Sequence, residues 1–263
     1  MKDIVVVGAS GHAEVVIDIL EKQGIYRIAG LIDRSVKGHV MGYDILGTES
    51  DLPGIVRERE IAGGIVAIGD NWTRYRVVNA LNALLPDFAF VTAVHPSAQI
   101  GRNATVGRGS VVMAGAVINP NARVGAFSVV NTNASLDHGS VMGDFSGLLP
   151  NAATGGNVVI GAFAAVCQGA NIVHRVEIGE HTVIGAGATV FENMPPRVVA
   201  YGTPARVIRA REPGEPYLGS VVRCTEWGGS PELRRTSTSG CLCAEAGVDA
   251  GRRTGVLPHW ENQ

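Results

Sequence analysis

One histidine, His138, stands in the run NTNASLDHGSVMGDFSG, from Asn131 to Gly147, among small, amide and apolar residues. No cluster of metal ligands and no strand–Ser–helix elbow surrounds it. The chemistry open to such a residue is proton acceptance, because a neutral imidazole takes up a proton near neutral pH. A second candidate is GASGHAE, Gly8 to Glu14, directly after the apolar run DIVVV. A glycine turn between a strand and a helix leaves backbone N–H groups free to hold phosphate oxygens. Gly8 and Gly11 permit close approach, and Ser10 and His12 are possible donors. Asp33, Gly69 and Asn71 fall at the ends of the next two expected strands, at the same sheet edge. A carboxylate there suits a ribose hydroxyl or a base edge. Together the seven residues suggest a nucleotide pocket. The motif is shorter than a full GxGxxG. A ligand-free turn and NAD binding are its rivals, though no dehydrogenase constellation follows.

The elements that must position these residues divide the chain in three. Residues 1–92 alternate strands with helices, which implies parallel βαβ units. DIVVV, RIAGLID and GGIVAIGDN read as strands, with FAFVTAV closing the unit. The first helix is expected to bury Val15, Val16, Ile19 and Leu20, with Gly24 as its stop. RYRVVNALNALL is the second helix.

Residues 93–209 carry a repeat. Counting every sixth residue from Ile100 to Val190, fifteen of sixteen positions are aliphatic or Met, and the exception is Thr154. Two positions earlier the residue is usually Ala or Ser. The residue after the aliphatic one is often Gly, with Asn119, Asn131 and Asp137 in the same slot, where left-handed backbone is expected. Six residues are too few for a strand and its return. Each unit is therefore one side of a triangular coil, and eighteen residues make a rung, stacked at about 4.8 Å.

Residues 210–263 lose the period and are rich in Gly, Ser, Arg and Pro, so a mostly disordered tail is expected. The four cysteines, Cys167, Cys224, Cys241 and Cys243, have neither zinc nor disulfide spacing. A formal charge of −2 argues against nucleic acid or an anionic membrane as partner. No run is long enough for a signal core or a membrane span, so the expected location is cytoplasmic.

VGASGHAEVV, AIGDN, HPSAQIG, NTNASLDH, GDF, GGNVVIG and YGTPARVI, in this order, resemble the hexapeptide-repeat acyltransferases with a Rossmann-like amino-terminal domain. These include nucleotide-amino-sugar N-acetyltransferases and sialic acid O-acetyltransferase-like proteins. The resemblance covers about residues 3–209 and implies a left-handed parallel β-helix, a homotrimer with sites between chains, and acetyl-CoA as acyl donor. It places the catalytic base at His138. The acceptor is then the amine of a nucleotide-linked sugar. O-acetylation of a sugar hydroxyl, or a non-catalytic nucleotide-sugar-binding assembly protein, remain the alternatives.

In this register Gly156 stacks over His138, and Gly155 and Gly156 leave space and N–H groups for a thioester carbonyl. Relatives often place a second histidine where this chain has Gly147. The resemblance implies Asn131, Gly147, Gly155, Gly156, His174, Gly202 and Pro204 as the acetyl-CoA contacts. Asp137, directly before the base, is the second catalytic candidate; it holds the tautomer if it faces the ring, whereas strand alternation would turn it away. His174 lies two rungs along the column of His138, about 10 Å off, too far to share a zinc within one chain. A metal shared between chains would need a third ligand that is not evident, and no metal is expected. His95 and His181 are expected at the surface or in turns.

Overall fold

The computed structural model describes residues 1–217. The part of the tail expectation that falls on residues 218–263, with Cys224, Cys241 and Cys243, lies outside them.

The amino-terminal sheet contains β1 (Lys2–Val7), β2 (Tyr26–Ile32), β3 (His39–Val40), β4 (Tyr43–Gly47) and β5 (Gly63–Val66), in the order β3-β4-β2-β1-β5. β1 runs parallel to β2 and β5, β4 parallel to β2, and β3 returns antiparallel on β4. Helices α1 (Gly11–Gln23), α2 (Leu52–Glu58) and α3 (Asn71–Leu84) connect them. The β3–β4 hairpin and α2 have no clear signal in the sequence reading. α1 buries Ala13, Val16, Ile17, Ile19 and Leu20, whereas Val15 is exposed. The expected face is rotated: Ile17, not Val15, shares the i, i+4, i+7 stripe with Ala13 and Leu20. Gly24 stops the helix at φ 65°, as expected. FAFVTAV does not close this sheet. Only Phe90 bridges Gly64, and the chain then leaves for the coil, where β6 (Ala93–Val94) pairs with Val111–Val112.

From Gln99 to Val190 every six-residue unit contributes a two-residue strand. The strands form three parallel sheets in which residues pair eighteen positions on, as in Ile118 with Leu136; between the strands at 135–136 and 153–154 only Ser135 and Ala153 pair. The aliphatic column fills the axis, and Leu136, Leu148, Ile160 and Val166 are fully buried. Buried serines in the small slot complete the rungs. The Ser140 hydroxyl donates to the Gly155 carbonyl and accepts from the Val158 N–H. A hairpin, Val198–Gly202 with Ala205–Ala210, ends the coil, and its turn contains a cis peptide before Pro204.

Left-handed backbone does not sit where the glycine slot implied. It recurs three residues after the core position, at Asn103, Gly109, Gly115, Asn121, Phe127, Asn133 and Gly139 and onward. The glycines next to the core residue serve close approach instead. A Cβ on Gly107 would lie 2.5 Å from the Ala126 nitrogen of the next rung, and one on Gly143 2.5 Å from the Ala162 nitrogen.

Every eighteenth corner residue from Phe127 is aromatic: Phe127, Phe145, Phe163 and His181, with φ 54–58°. Their rings stack at centroid spacings of 5.0, 5.2 and 4.6 Å. Stacked pairs of this kind contribute about 0.5–1.5 kcal/mol each, which offsets bulky side chains at positive φ. His181 is in a turn but is buried, the end of this stack and not a surface residue. Tyr75 of α3 sets its edge on Phe145 and Phe163, so the stack is also the seam between the sheet domain and the coil.

Candidate active site

His138 and Gly156 are neighbours, as the register predicts. A Cβ built on Gly156 would lie 2.3 Å from Cε1 of His138, so only glycine leaves room for the ring. The imidazole is largely exposed. Asp137 does not turn away from it. His138 Nδ1 is 3.1 Å from Asp137 Oδ1, and the His138 backbone N–H donates to the same oxygen at 2.7 Å. Strand alternation fails here because the strand ends at Leu136 and His138 is already in the corner. Oδ1 also accepts from Asn119 Nδ2 at 2.7 Å, one rung back. These hydrogen bonds, that from the His138 N–H foremost, hold the Asp137 carboxyl below its ordinary range. An ionised carboxylate at Nδ1 selects the tautomer with Nδ1–H and leaves Nε2 as the acceptor.

Thr154, the exception in the aliphatic column, accepts the Asp137 backbone N–H at 2.9 Å through its hydroxyl. In the other units the equivalent N–H donates to the core residue's carbonyl one rung on, as Asn119 N–H does to Leu136 O at 2.9 Å, so the break in the repeat replaces a backbone acceptor with a hydroxyl at the residue beside the base.

The other residues expected around acetyl-CoA do not gather in one place within a chain. Gly156 and His174 share the corner column of His138 and Gly155 that of Asp137, and a Cβ on Gly155 would meet the His174 backbone at 2.7 Å. Asn131 lies at a different corner, its Oδ1 accepting from the Thr132 N–H. Gly147 is in a strand of the third sheet, and Gly202 and Pro204 flank the closing turn. The face over Gly147 is covered from within the chain. A Cβ there would lie 3.2 Å from Leu149 and 3.9 Å from the Tyr217 hydroxyl.

Tyr217 belongs to a segment the sequence reading assigned to the tail. Residues 211–217 instead pack onto the coil. Arg211 is buried and donates to the His181 carbonyl at 2.7 Å, and Arg209 pairs with Glu215 at 2.6 Å. Tyr217 joins Leu149, Ala165, Cys167 and Val183. Burial pushes the Tyr217 hydroxyl up to about 12 and the Cys167 thiol up to about 11.

In the amino-terminal domain a cleft of about 330 Å³ is bounded by Gly8, Asp33, Arg34, Glu49, Ile68 and Arg76, among others. Gly8 has φ 109°, and a Cβ there would meet the Ala67 carbonyl at 2.8 Å. Ser10 precedes α1 without a side-chain cap bond. Asp33 accepts the Ser35 and Val36 N–H groups through Oδ1.

Of the seven expected nucleotide contacts, Gly8 and Asp33 line this cleft, while Ser10, Gly11, His12, Gly69 and Asn71 do not. His12 is held neutral, its pKa lowered to about 4 by burial and then by the Arg74 charge. Asn71 does not end β5. It opens α3, 2% exposed, and its Nδ2 donates to the Phe163 carbonyl at 2.7 Å. Arg34, Glu49 and Arg76 were missed. Arg34 and Glu49 form an ion pair at 2.6 Å across a gap of fifteen residues that carries no short motif.

Among the described residues no helix is long and apolar enough to cross a membrane, and no group of three or more His, Cys, Asp or Glu side chains is placed to hold a metal.

Residues 3–81 match the PglD N-terminal domain, and residues 97–132 match the bacterial transferase hexapeptide (six repeats). The chain is 32% identical over 115 residues to UDP-N-acetylbacillosamine N-acetyltransferase of Bacillus subtilis, a match that covers 43% of this chain and about half, 52%, of that protein. PerB of Caulobacter crescentus, solved with CoA and GDP-perosamine, superimposes with a TM-score of 0.75 at 34% identity, over 80% of this chain and 98% of that one. The acetyltransferase domain of PglB from Neisseria gonorrhoeae, solved with acetyl coenzyme A, gives 0.74 at 30% identity, over 79% and 99%. With its Rossmann-like domain followed by a left-handed parallel β-helix, the chain belongs to the hexapeptide-repeat acyltransferases of the sugar N-acetyltransferase type.

Proposed function

We propose that this protein transfers an acetyl group from acetyl-CoA to the amino group of a nucleotide-linked amino sugar, with His138 as general base. The observation that carries this reading is the His138 corner. The ring is exposed, lies against Gly156, and is held at Nδ1 by Asp137. Nε2 is then the atom that takes the proton as the amine attacks the thioester carbonyl. The C–S bond breaks as the amide forms, and the thiolate of CoA leaves with a proton. The reading needs no covalent enzyme intermediate. Asp137 stabilises the imidazolium as it forms. Backbone N–H groups near Gly155 and Gly156 are the proposed donors to the carbonyl oxygen.

The cleft around Gly8 and Asp33 is the proposed seat of the nucleotide, with Arg34, Glu49 and Arg76 on its wall. Of the other five residues of the expected pocket, Asn71 is withdrawn from the list of contacts, because its amide is committed to Phe163. Asn131, His174, Gly202 and Pro204 remain proposed acetyl-CoA contacts. Because they and Gly147 spread over several faces, the reading requires a second copy beside His138, and a homotrimer is the expected assembly. The cytoplasm, where acetyl-CoA and nucleotide sugars are made, is the proposed location.

Incubation with acetyl-CoA and UDP- or GDP-linked amino sugars, with mass spectrometry of the products, tests the proposal. A mass gain of one acetyl group on the amine supports it. Acetylation of a hydroxyl would move the assignment to O-acetylation. Nucleotide-sugar binding without any product would leave the non-catalytic assembly protein.

A further inference from the structure

The carbonyls of the four stacked corner residues all accept from side chains outside the coil. Arg74 Nε donates to Phe127 O at 2.8 Å and Nη2 to Phe145 O at 3.4 Å. Asn71 Nδ2 donates to Phe163 O at 2.7 Å, and Arg211 Nη1 to His181 O at 2.7 Å. Arg74 is 2% exposed. Its Nη1 donates to the carbonyls of Ile68 and Gly69 at 2.7 and 2.9 Å. One buried guanidinium thus joins two successive rungs of the coil to the loop after β5, and Ile68 of that loop is a wall of the nucleotide cleft.

Burying a guanidinium is costly, and burial lowers the Arg74 pKa. Packing alone would favour an apolar residue at this position of α3, where Val78 and Leu81 bury the same face. What an arginine adds is direction. Its planar fork fixes the height of the loop along the coil and its angle to it. Asn71, one turn earlier, fixes the next rung.

We propose that Arg74 and Asn71 are positioning residues that set the nucleotide cleft in register with the coil that carries His138. They act through the Ile68–Gly69 loop and do not touch substrate. This rests on the functional reading above. It holds whether the cleft serves His138 of its own chain or of a neighbour, because an assembly built on the coil places both relative to the same frame.

The test uses full-length Arg74→Lys and Asn71→Ala proteins, with two readouts. The first is amide hydrogen exchange of residues 67–74, which needs no activity. Exchange at Ile68–Gly69 is expected to rise at least about tenfold in Arg74→Lys while the interior of β1 stays protected. The second is kinetics. A cleft displaced by an ångström costs on the order of tenfold to a hundredfold in kcat, with the affinities for nucleotide sugar and acetyl-CoA within about twofold of wild type. Arg74→Lys, which keeps the charge and part of the donor set, should lose less than Arg74→Met.

The proposal is overturned if Arg74→Lys and Asn71→Ala fold and turn over at the wild-type rate. It is equally overturned if Asn71→Ala acts only by raising KM for the nucleotide sugar, since Asn71 would then be a ligand contact. If Arg74→Met does not fold, the Lys and Asn71 variants decide. A wild-type protein that acetylates no nucleotide-linked amino sugar sinks the functional reading instead, and the exchange result then judges the clamp alone.

Discussion

Gly156 and His138 stand one rung apart in the coil, and the ring lies where a side chain at 156 would begin, 2.3 Å from the position of its Cβ. The first consequence of Gly156→Ala is therefore a displaced imidazole, and only the second a narrower space for the thioester. Gly156→Ala is expected to lower kcat about tenfold or more while acetyl-CoA affinity changes less than kcat. His138→Ala should lower turnover by about 10²–10⁴-fold with both substrates still bound. Steady-state kinetics and calorimetry on the two variants check this. Near wild-type turnover in His138→Ala would falsify the base assignment.

Asp137→Asn tests orientation. The carboxylate accepts from the ring, from the His138 N–H and from Asn119 through one oxygen. An amide can keep those bonds but loses the charge that stabilises the imidazolium. A loss of roughly tenfold to a hundredfold in kcat is expected, without loss of thermal stability beyond a few degrees, since a pair this exposed contributes at most about 1 kcal/mol to the fold. A Thr154→Val protein should move the same way more weakly, because the Asp137 N–H loses its hydroxyl acceptor and is left with the residue-154 carbonyl that accepts in the other units, which shifts Asp137 against the ring. Unchanged kcat in Asp137→Asn would leave the ring oriented by Gly156 and the corner alone.

Much of this was legible because the coil is a one-dimensional code. Spacing alone places Gly156 beside His138 and His174 in the same column. What the repeat conceals is whatever depends on the corner. Alternation along a strand predicts that Asp137 faces away, but the strand is two residues long and ends at Leu136. The glycine slot was read as a conformational requirement, yet Gly107 and Gly143 are needed for contact between rungs, and positive φ falls two residues later. The aromatic stack has a visible signal, Phe127, Phe145, Phe163 and His181 at intervals of eighteen, which a search confined to aliphatic and small residues passes over. Asn71 and Arg74 share helical spacing with the buried Val78 and Leu81. A polar pair on an apolar face is the trace they leave. The Arg34–Glu49 pair leaves none, since it depends on how β4 meets β2.

The contribution of residues 211–217 to the fold can be measured by truncation. Ending the chain at Ala210 removes the Arg211 bond to the His181 carbonyl and the Tyr217 contacts with Leu149 and Val183. It also removes Gly214, which lies so close to Trp72 that a Cβ would be 2.5 Å from the indole nitrogen. The melting temperature is expected to fall by about 5 °C or more. A chain ending at Tyr217 keeps these contacts and should melt above the one ending at Ala210 by that amount. Equal melting temperatures for the two truncations would show that residues 211–217 contribute nothing to stability.

Acid should weaken the fold through two histidines. His12 titrates near 6.5 in an unfolded chain and at about 4 in the folded one, because burial, and then the charge of Arg74, disfavours its protonated form. His181 is shifted in the same direction, chiefly by burial against the aromatic stack. The sign follows from proton counting. Between the two pKa values of His12 the unfolded chain binds a proton that the folded chain refuses, so each drop in pH through that window favours unfolding. The stability contributed by neutral His12 is complete above about pH 6.5 and is lost progressively down to about 4, below which this group adds no further slope. His12→Gln removes the titration, and His181→Phe removes the second one while extending the stack with a fourth phenylalanine. Urea midpoints at one fixed protein concentration, taken between pH 7.5 and 4.5, should fall less in each variant than in the wild type, and least in the double variant. Other groups titrate in the same range, so the comparison that decides is the difference in slope between variant and wild type. Parallel curves for His12→Gln and the wild type would mean that His12 is protonated in the folded chain as readily as in the unfolded one, and that the ring reaches water.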